Sequence, residues 1–390
     1  MTKIYQRPIQ DLAGLTYPCS CGRTHQVDIQ AIRVGSGCLK ELPNILRQLG
    51  ASRVFLLADN YTFEAAGRQV EELLQQAQIP YHTRLFQTTT PLVPNEYALG
   101  SALAAMETED DMLLAVGSGT LNDLTKYISA RTGVPYVIAA TAPSMDGYAS
   151  TVAPMILDGV KTTLPAVYPA AIIADVDILK DAPMPMLTAG FGDIIGKYTA
   201  LCDWRLSRQL FDEYYCEEAA ILMEQALEKC ANNAKALSQR DPAAVEAVTE
   251  ALILSGVAMG LVGNSRPASG AEHHMAHYWE MDALRRGGEH PLHGNAVGAS
   301  AVIAASLYEL AAAELPQGFT PPDKARIVAC LRDAGAAASP KELGIRRDQC
   351  MEALMHAMEL RDRFTILRFL DGKGELAACA LELTNRFYGT

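Results

Sequence analysis

Asp111-Met112-Leu113-Leu114-Ala115-Val116-Gly117-Ser118-Gly119-Thr120 is the stretch on which the fold turns. Its apolar run is too short for a helix, suits a strand buried on both faces, and stops at a glycine. Three further stretches repeat the pattern upstream and downstream. Residues 53–59, Arg53-Val54-Phe55-Leu56-Leu57-Ala58-Asp59, read as a second buried strand, with a helix over 61–77 behind it. A weaker strand at 81–86 precedes a helix over 95–107, and a helix ending at Arg131 leads into a strand at 135–140. Strand–helix alternation of this kind specifies a parallel sheet with helices on both faces.

The character changes after Pro183 and Pro185. Residues 152–163 form a hairpin with Asp158-Gly159 at its turn, and Ala171-Ile172-Ile173-Ala174-Asp175 is an apolar strand that closes the sheet. Beyond lie long helical patterns over 186–199, 217–237, 243–262, 271–283 and 296–314. The expected architecture is α/β. A Rossmann-like parallel-sheet domain over 1–182 is followed by an all-helical domain over 183–390, with the active site in the cleft between them. Ligands on such sheets bind beyond the carboxyl ends of the strands, so the loops after Ala58, Val116 and Ala140 are the places to look.

Bulk properties narrow the class. The chain has 390 residues, 49% hydrophobic and 20% charged, with a net charge of −12. That acidity speaks against nucleic acid or an anionic membrane as partner. The opening Met1-Thr2-Lys3-Ile4-Tyr5-Gln6-Arg7-Pro8 lacks the apolar core of a signal peptide, and the apolar run 251–262 is short of a bilayer span. Nine scattered cysteines read as reduced thiols of a cytoplasmic protein.

Gly117-Ser118-Gly119-Thr120 lies between strand and helix, where glycines admit a pyrophosphate and the helix N-terminus offers unpaired N–H groups. An ordinary tight turn gives the same residues. Asp59 ends a strand where a ribose hydroxyl would sit, or caps the following helix. Thr141-Ala142-Pro143-Ser144-Met145-Asp146-Gly147 adds hydroxyls and an acid at a third strand end.

Five of the eight histidines fall between 273 and 293. Asp193 and Lys197 share a helix face at i,i+4, as do His273 and His277. One carboxylate and two imidazoles hold a divalent ion and leave coordination positions open, as a Lewis-acid catalyst requires. Taken singly each residue has a bland reading, a surface ion pair or a loop histidine; the clustering favours a metal. A second cluster, Cys19, Cys21 and His25, lacks the usual C-x₂-C spacing and a fourth ligand, and reads as a reduced hairpin turn. Cys202, Cys216 and Cys230 read as core.

These residues resemble the iron-containing alcohol dehydrogenase, glycerol dehydrogenase and dehydroquinate synthase superfamily. Within it the chain looks like a bacterial branch of the sn-glycerol-1-phosphate dehydrogenases. The matches are the stretches 117–126 and 141–150, Gly190-Phe191-Gly192-Asp193 with Lys197, Ser269-Gly270-Ala271-Glu272-His273 with His277, and His293-Gly294 with Val297-Gly298. The resemblance implies reduction of dihydroxyacetone phosphate to sn-glycerol 1-phosphate, a step of phospholipid biosynthesis. The cofactors implied are NAD(H) or NADP(H) and one divalent ion, Zn, Ni or Fe, in a homodimer.

Carried over by position, Asp193, His273 and His293 bind the metal, and Asp193, His277 and Lys197 form the catalytic set. Asp146 and His277 touch substrate, with Asp193 against it through the metal. Asp59, Gly117, Ser118, Gly119, Thr120, Leu121, Thr141, Ala142, Pro143, Ser144 and Ser150 line the dinucleotide. Two departures stand out: Gly-Asn follows His293 where Gly-Glu is common, and Arg285-Arg286-Gly287-Gly288 lengthens the preceding segment, making His290 a rival ligand. Lys197, Lys161, Arg205 or a helix N-terminus could meet the substrate phosphate. The alternatives on the same fold are a glycerol or other polyol dehydrogenase and a dehydroquinate-synthase-like cyclase.

Overall fold

The structure, a computed structural model, describes residues 2–389. Ten strands are formed: β1 (Thr16–Pro18), β2 (Thr24–Gln26), β3 (Ala31–Gly35), β4 (Val54–Asp59), β5 (Tyr81–Phe86), β6 (Met112–Gly117), β7 (Tyr136–Ala140), β8 (Val152–Leu157), β9 (Val160–Pro165) and β10 (Ala171–Asp175). Six of them make one sheet in the order β3-β10-β7-β6-β4-β5, and its neighbours pair in parallel. The weaker pattern of β5 has a cause: it is the edge strand and only half buried. The opposite edge is β3, which the sequence reading passed over because five residues carrying Arg33 make a short run. Consequently β10 does not close the sheet but lies inside it, between β3 and β7.

From β4 the chain moves outward to β5 and then returns to β6 on the other side. The order therefore reverses between β4 and β6, where an open α/β sheet leaves a crevice at its carboxyl edge. Asp59 and Gly117 end the two flanking strands. The β8–β9 hairpin turns through Asp158 and Gly159, both at positive φ (51° and 74°), as a tight two-residue turn demands.

The helical part begins at Met184–Ile195 and continues through Lys197–Phe211, Glu217–Asn232, Ala234–Ser238, Pro242–Val262, Ala271–Arg285 and His293–Leu310 to a final set ending at Leu376–Tyr388. Two expected long helices are broken. The stretch 186–199 divides at Gly196, where a Cβ would strike Val297 and Glu272. The stretch 217–237 divides at Asn233, which leaves helical geometry at φ −106°, ψ 8°. His293 is not a loop residue; it opens the helix His293–Leu310. Helix Pro242–Val262 is long and apolar enough to cross a membrane, but 72% of its apolar window is buried inside the fold.

Helices Met184–Ile195 and His293–Leu310 meet backbone to backbone. A Cβ at Gly192 would overlap the Gly294 carbonyl, and one at Gly294 would overlap Ala189 O. Small residues at this crossing let the two helices approach closely, and the approach brings Asp193 beside His293.

Candidate active site

Asp193 lies near the end of helix Met184–Ile195 and is fully buried. Its Oδ2 accepts the Asp146 amide at 3.0 Å, and its Oδ1 accepts Lys197 Nζ at 2.8 Å. Lys197 is equally buried and donates also to Asp146 Oδ2 at 2.8 Å; Ser255 Oγ donates to that same oxygen at 2.8 Å. Burial alone would raise the Asp193 carboxyl, but Lys197 and His273 overcome it and hold the group far below the carboxylate range. Burial would likewise discharge Lys197, yet Asp146 and Asp193 keep it charged.

Helix Ala271–Arg285 supplies His273 and His277 from one face. His273 Nδ1 lies 2.8 Å from Glu272 Oε1 and its Nε2 lies 3.4 Å from Asp193 Oδ1; with a cation between them Nε2 would present its lone pair to the ion. His293 Nδ1 donates to Glu280 Oε1 at 2.7 Å. The other oxygen of Glu280 takes His277 Nδ1 at 3.2 Å and also pairs with Lys161 of β9. Imidazoles fixed through Nδ1 by a carboxylate are the usual form of metal-ligating histidines. Asp193, His273 and His293 each bring a ligand atom within 4.8 Å of the others, as do His277, Glu280 and His293.

The charge balance favours a cation. Asp146, Asp193, Glu272 and Glu280 supply four carboxylates, met directly by two lysines, Lys161 and Lys197. The remaining two negative charges match a divalent ion, and the donor set of one carboxylate and two imidazoles suits zinc, nickel or iron(II). Beyond His277 stands Arg361, whose guanidinium donates to His277 Nε2 at 3.3 Å. Burial, only partly offset by Glu280, lowers His277 to about 3, so its ring is neutral.

Glu272, Glu280 and Arg361 had no assigned role in the sequence reading. Glu272 adjoins His273 and Glu280 follows His277 at i,i+3, so helical spacing was the available signal for the two acids. Arg361 is brought in from far along the chain and left no such mark. The rival ligand His290 lies exposed, donating to the Pro291 carbonyl, away from the cluster. Arg205 is also elsewhere, paired with Glu224 and Cys202. His274 turns away from the centre, buried and with neither ring nitrogen bonded among the described residues.

Across the cleft, helix Gly119–Thr132 starts directly after β6, and Ser118 gives it no side-chain cap. Its first amides are thus open to an anion, beside the partly exposed Ser118, Gly119 and Thr120. A Cβ at Gly117 would overlap Leu121, which is buried beneath the turn. Asp59 is a helix cap: Tyr61 N and Thr62 N both donate to its Oδ1, at 2.9 and 2.8 Å. The Thr141 amide donates to Gly117 O at 3.0 Å, which joins the loop after β7 to this turn. Ala142 O accepts Tyr148 OH, Pro143 O presses on Gly190, and Ser144 N donates to Ala142 O at 3.0 Å.

That loop is pinned from below by the fully buried Lys126. Its Nζ donates to Gly147 O at 2.7 Å, to Ser150 Oγ and Val152 O at 3.0 Å, and to Asp123 Oδ1 at 3.1 Å. The Ser150 hydroxyl is engaged in this staple and shapes the loop from the inside.

Comparison with known proteins places this geometry in context. A family profile described as iron-containing alcohol dehydrogenase matches residues 33–183. The glycerol-1-phosphate dehydrogenase (NAD(P)+) of Halalkalibacterium halodurans is 36% identical over 379 residues, covering 90% of this chain and 95% of that protein. The enzyme of the same name from Methanosarcina acetivorans is 34% identical over 339 residues, covering 86% and 89%. Among solved structures, maleylacetate reductase from Agrobacterium tumefaciens superposes with a TM-score of 0.69 at 17% identity, covering 92% and 96%. A probable glycerol dehydrogenase from Sinorhizobium meliloti gives 0.65 at 19% identity, covering 90% and 97%. At such identities these structures speak for the fold alone.

Proposed function

The chain belongs to the glycerol-1-phosphate dehydrogenase family, metal-dependent NAD(P)-linked oxidoreductases of the iron-containing alcohol dehydrogenase type, and from that membership we propose its reaction and its site. The reaction is the reversible reduction of dihydroxyacetone phosphate to sn-glycerol 1-phosphate. Asp193, His273 and His293 hold the metal. The observation that carries this reading is their convergence within 4.8 Å, each histidine held through Nδ1 by its own buried carboxylate.

A divalent ion held there supplies Lewis-acid polarisation of the ketone. The chain's own residues do the rest. Lys197 and Ser255 fix Asp146 against the centre, with its carboxylate facing the substrate. Glu280 fixes the tautomer of His277, so Nε2 is the atom assigned to accept a proton when the alcohol is oxidised and to return it on reduction. Arg361 engages that lone pair in this structure, and the transfer follows once substrate draws Arg361 away. Arg361 contacts His277 and Lys161 contacts Glu280, and these two are the residues assigned to the substrate phosphate. Lys197, neutralised by two carboxylates, is not. The uncapped start of helix Gly119–Thr132 takes the dinucleotide pyrophosphate, with Asp59, Thr141 and Ser144 around it.

We further assign residues 1–182 to the nucleotide domain and 183–390 to the metal and substrate domain, and expect a cytoplasmic homodimer. The test is NADH and NADPH oxidation with dihydroxyacetone phosphate after chelation and readdition of Zn²⁺, Ni²⁺ or Fe²⁺, with His273→Ala alongside. Metal-restored turnover that the variant lacks, giving the sn-1 product, supports the reading. Turnover of glycerol or another polyol in its place refutes the phosphate assignment.

A further inference from the structure

Outside the active site, three thiols and an imidazole converge, and Cys216 supplies the fourth ligand that the sequence cluster of Cys19, Cys21 and His25 lacks. Residues 19–23 turn between β1 and β2: the Cys19 amide donates to Arg23 O at 2.9 Å and Gly22 N to Cys19 O at 3.1 Å. Gly22 sits at φ 86°, a conformation that glycine adopts without strain. This knuckle aims Cys19 and Cys21 at His25 of β2 and at Cys216, about two hundred residues away. Cys216 is itself buried at the N-cap of helix Glu217–Asn232.

We propose that Cys19, Cys21, His25 and Cys216 form a structural zinc site that clamps the N-terminal segment to the helical part of the molecule. All four donor atoms lie within 4.8 Å of one another. The individual distances fit one tetrahedral ion. Zinc–sulfur and zinc–nitrogen bonds of about 2.3 and about 2.1 Å at tetrahedral angles put two sulfurs about 3.8 Å apart and a sulfur and a nitrogen about 3.6 Å apart. Cys19 Sγ and Cys216 Sγ are 3.8 Å apart, and His25 Nε2 is 3.3 Å from Cys21 Sγ and 3.4 Å from Cys216 Sγ. Three thiolates and a neutral imidazole form a closed, soft donor set, which selects zinc and leaves no position for a substrate.

The surroundings match that chemistry. Tyr214 OH donates to Cys21 Sγ at 3.2 Å, and the Leu261 backbone is a further partner of the His25 ring. The mechanical consequence is local. Lys3 pairs with Glu218 at 2.6 Å, Ser20 donates to Glu218, and the Arg23 guanidinium lies 3.5 Å from the Tyr214 ring centroid. Zinc would fasten the same join with far stronger bonds. Helix Glu217–Asn232, thus fastened, packs on helix Met184–Ile195, which carries Asp193.

The experiment is metal analysis of the full chain purified without chelator, beside Cys21→Ser, Cys216→Ser and His273→Ala. Wild type carries one equivalent more than the cysteine variants, and His273→Ala keeps the equivalent that they lose. Cobalt-reconstituted His273→Ala shows thiolate-to-cobalt charge transfer that Cys21→Ser in the same background abolishes. Should Cys216→Ser fail to fold, the half-buried Cys21 and the cobalt spectrum decide. Equal metal content in wild type and Cys21→Ser, with no charge-transfer band, overturns the site. So does a titration of unreduced, denatured protein that finds two thiols fewer than the nine in the sequence, since a Cys19–Cys216 disulfide would then occupy the cluster.

Discussion

Glu280 holds two histidines at once: its Oε1 accepts His293 Nδ1 at 2.7 Å and its Oε2 accepts His277 Nδ1 at 3.2 Å. One buried carboxylate therefore sets the tautomer of both the proposed metal ligand and the proposed proton carrier. Glu280→Gln keeps the shape but offers an NH₂ to one of the two rings and leaves Lys161 without its counter-charge. Metal affinity, measured by competition with a chelator, falls roughly 10–100-fold, as for other residues that orient metal-bound histidines. Unchanged affinity with only kcat altered would restrict Glu280 to His277.

Gly294 tests how the fold positions the centre: it follows His293, and a Cβ here would also press on Asp193 Cβ. Its missing Cβ makes room for Ala189 O, and Gly192 and Gly298 lie at the same crossing. Gly294→Ala forces helices Met184–Ile195 and His293–Leu310 apart and costs about 1–3 kcal/mol or more by overpacking. Because the two helices carry Asp193 and His293, metal affinity drops with stability. Chelator competition and denaturant unfolding on the same sample read both; a loss of stability with metal affinity intact contradicts the coupling.

The sequence carried the sheet because buried parallel strands are apolar runs, and 54–59, 112–117 and 136–140 read as such. It also marked the histidine cluster proposed to hold the metal, because five of eight histidines in one short stretch are hard to place on a surface. Glu272 and Glu280 went unassigned since a carboxylate on a helix looks the same whether it faces water or a histidine; only packing against β9 and helix His293–Leu310 decides. The link from Cys216 to the Cys19–His25 hairpin was illegible for a related reason. It rests on tertiary contact, and Cys216 alone has the spacing of a core residue. Short β3 was lost to its brevity and to Arg33, whose guanidinium reaches Glu41 outside the sheet.

Lys197 balances Asp146 and Asp193; Lys197 and Asp193 are fully buried and Asp146 is partly so. Lys197→Met leaves two carboxylates facing each other without a cation, and breaking a buried pair in this way costs about 3–5 kcal/mol. The metal-free variant is destabilised by that order, and added divalent ion restores much of it through binding to the folded state alone. Turnover remains low because Asp146 has lost its anchor. Denaturant unfolding with and without metal checks the first part, and a loss of stability that is the same in both conditions contradicts it.

Asp59 separates two roles by measurement. As the cap of the turn after β4 its Oδ1 receives two amides, and Asp59→Ala costs about 0.5–2 kcal/mol of stability. Asp59→Asn keeps an accepting oxygen for the cap but removes the charge that would meet a ribose hydroxyl. If Asp59 also binds ribose, the Asn variant is near wild type in stability while its KM ratio shifts towards NADPH. An unaltered ratio in both variants assigns Asp59 to the cap alone.

Asp203 sets a pH dependence with an unusual sign. Tyr308 OH and Ile366 N donate to its Oδ1 and Ala271 N to its Oδ2, at 2.7, 2.8 and 2.7 Å, yet burial and the nearby Glu272 raise its carboxyl to about 7. The unfolded group titrates near 3.9. Between about pH 4 and about pH 7 the folded chain therefore holds a proton that the unfolded chain has released. Stability from this group is full below the lower value and is lost as pH rises through the upper one, at up to about 1.4 kcal/mol per pH unit. Asp203→Asn cannot titrate, so its unfolding free energy plotted against pH has a slope more positive by that amount within the window. Parallel curves for the two proteins would mean that the three donors hold Asp203 ionised after all.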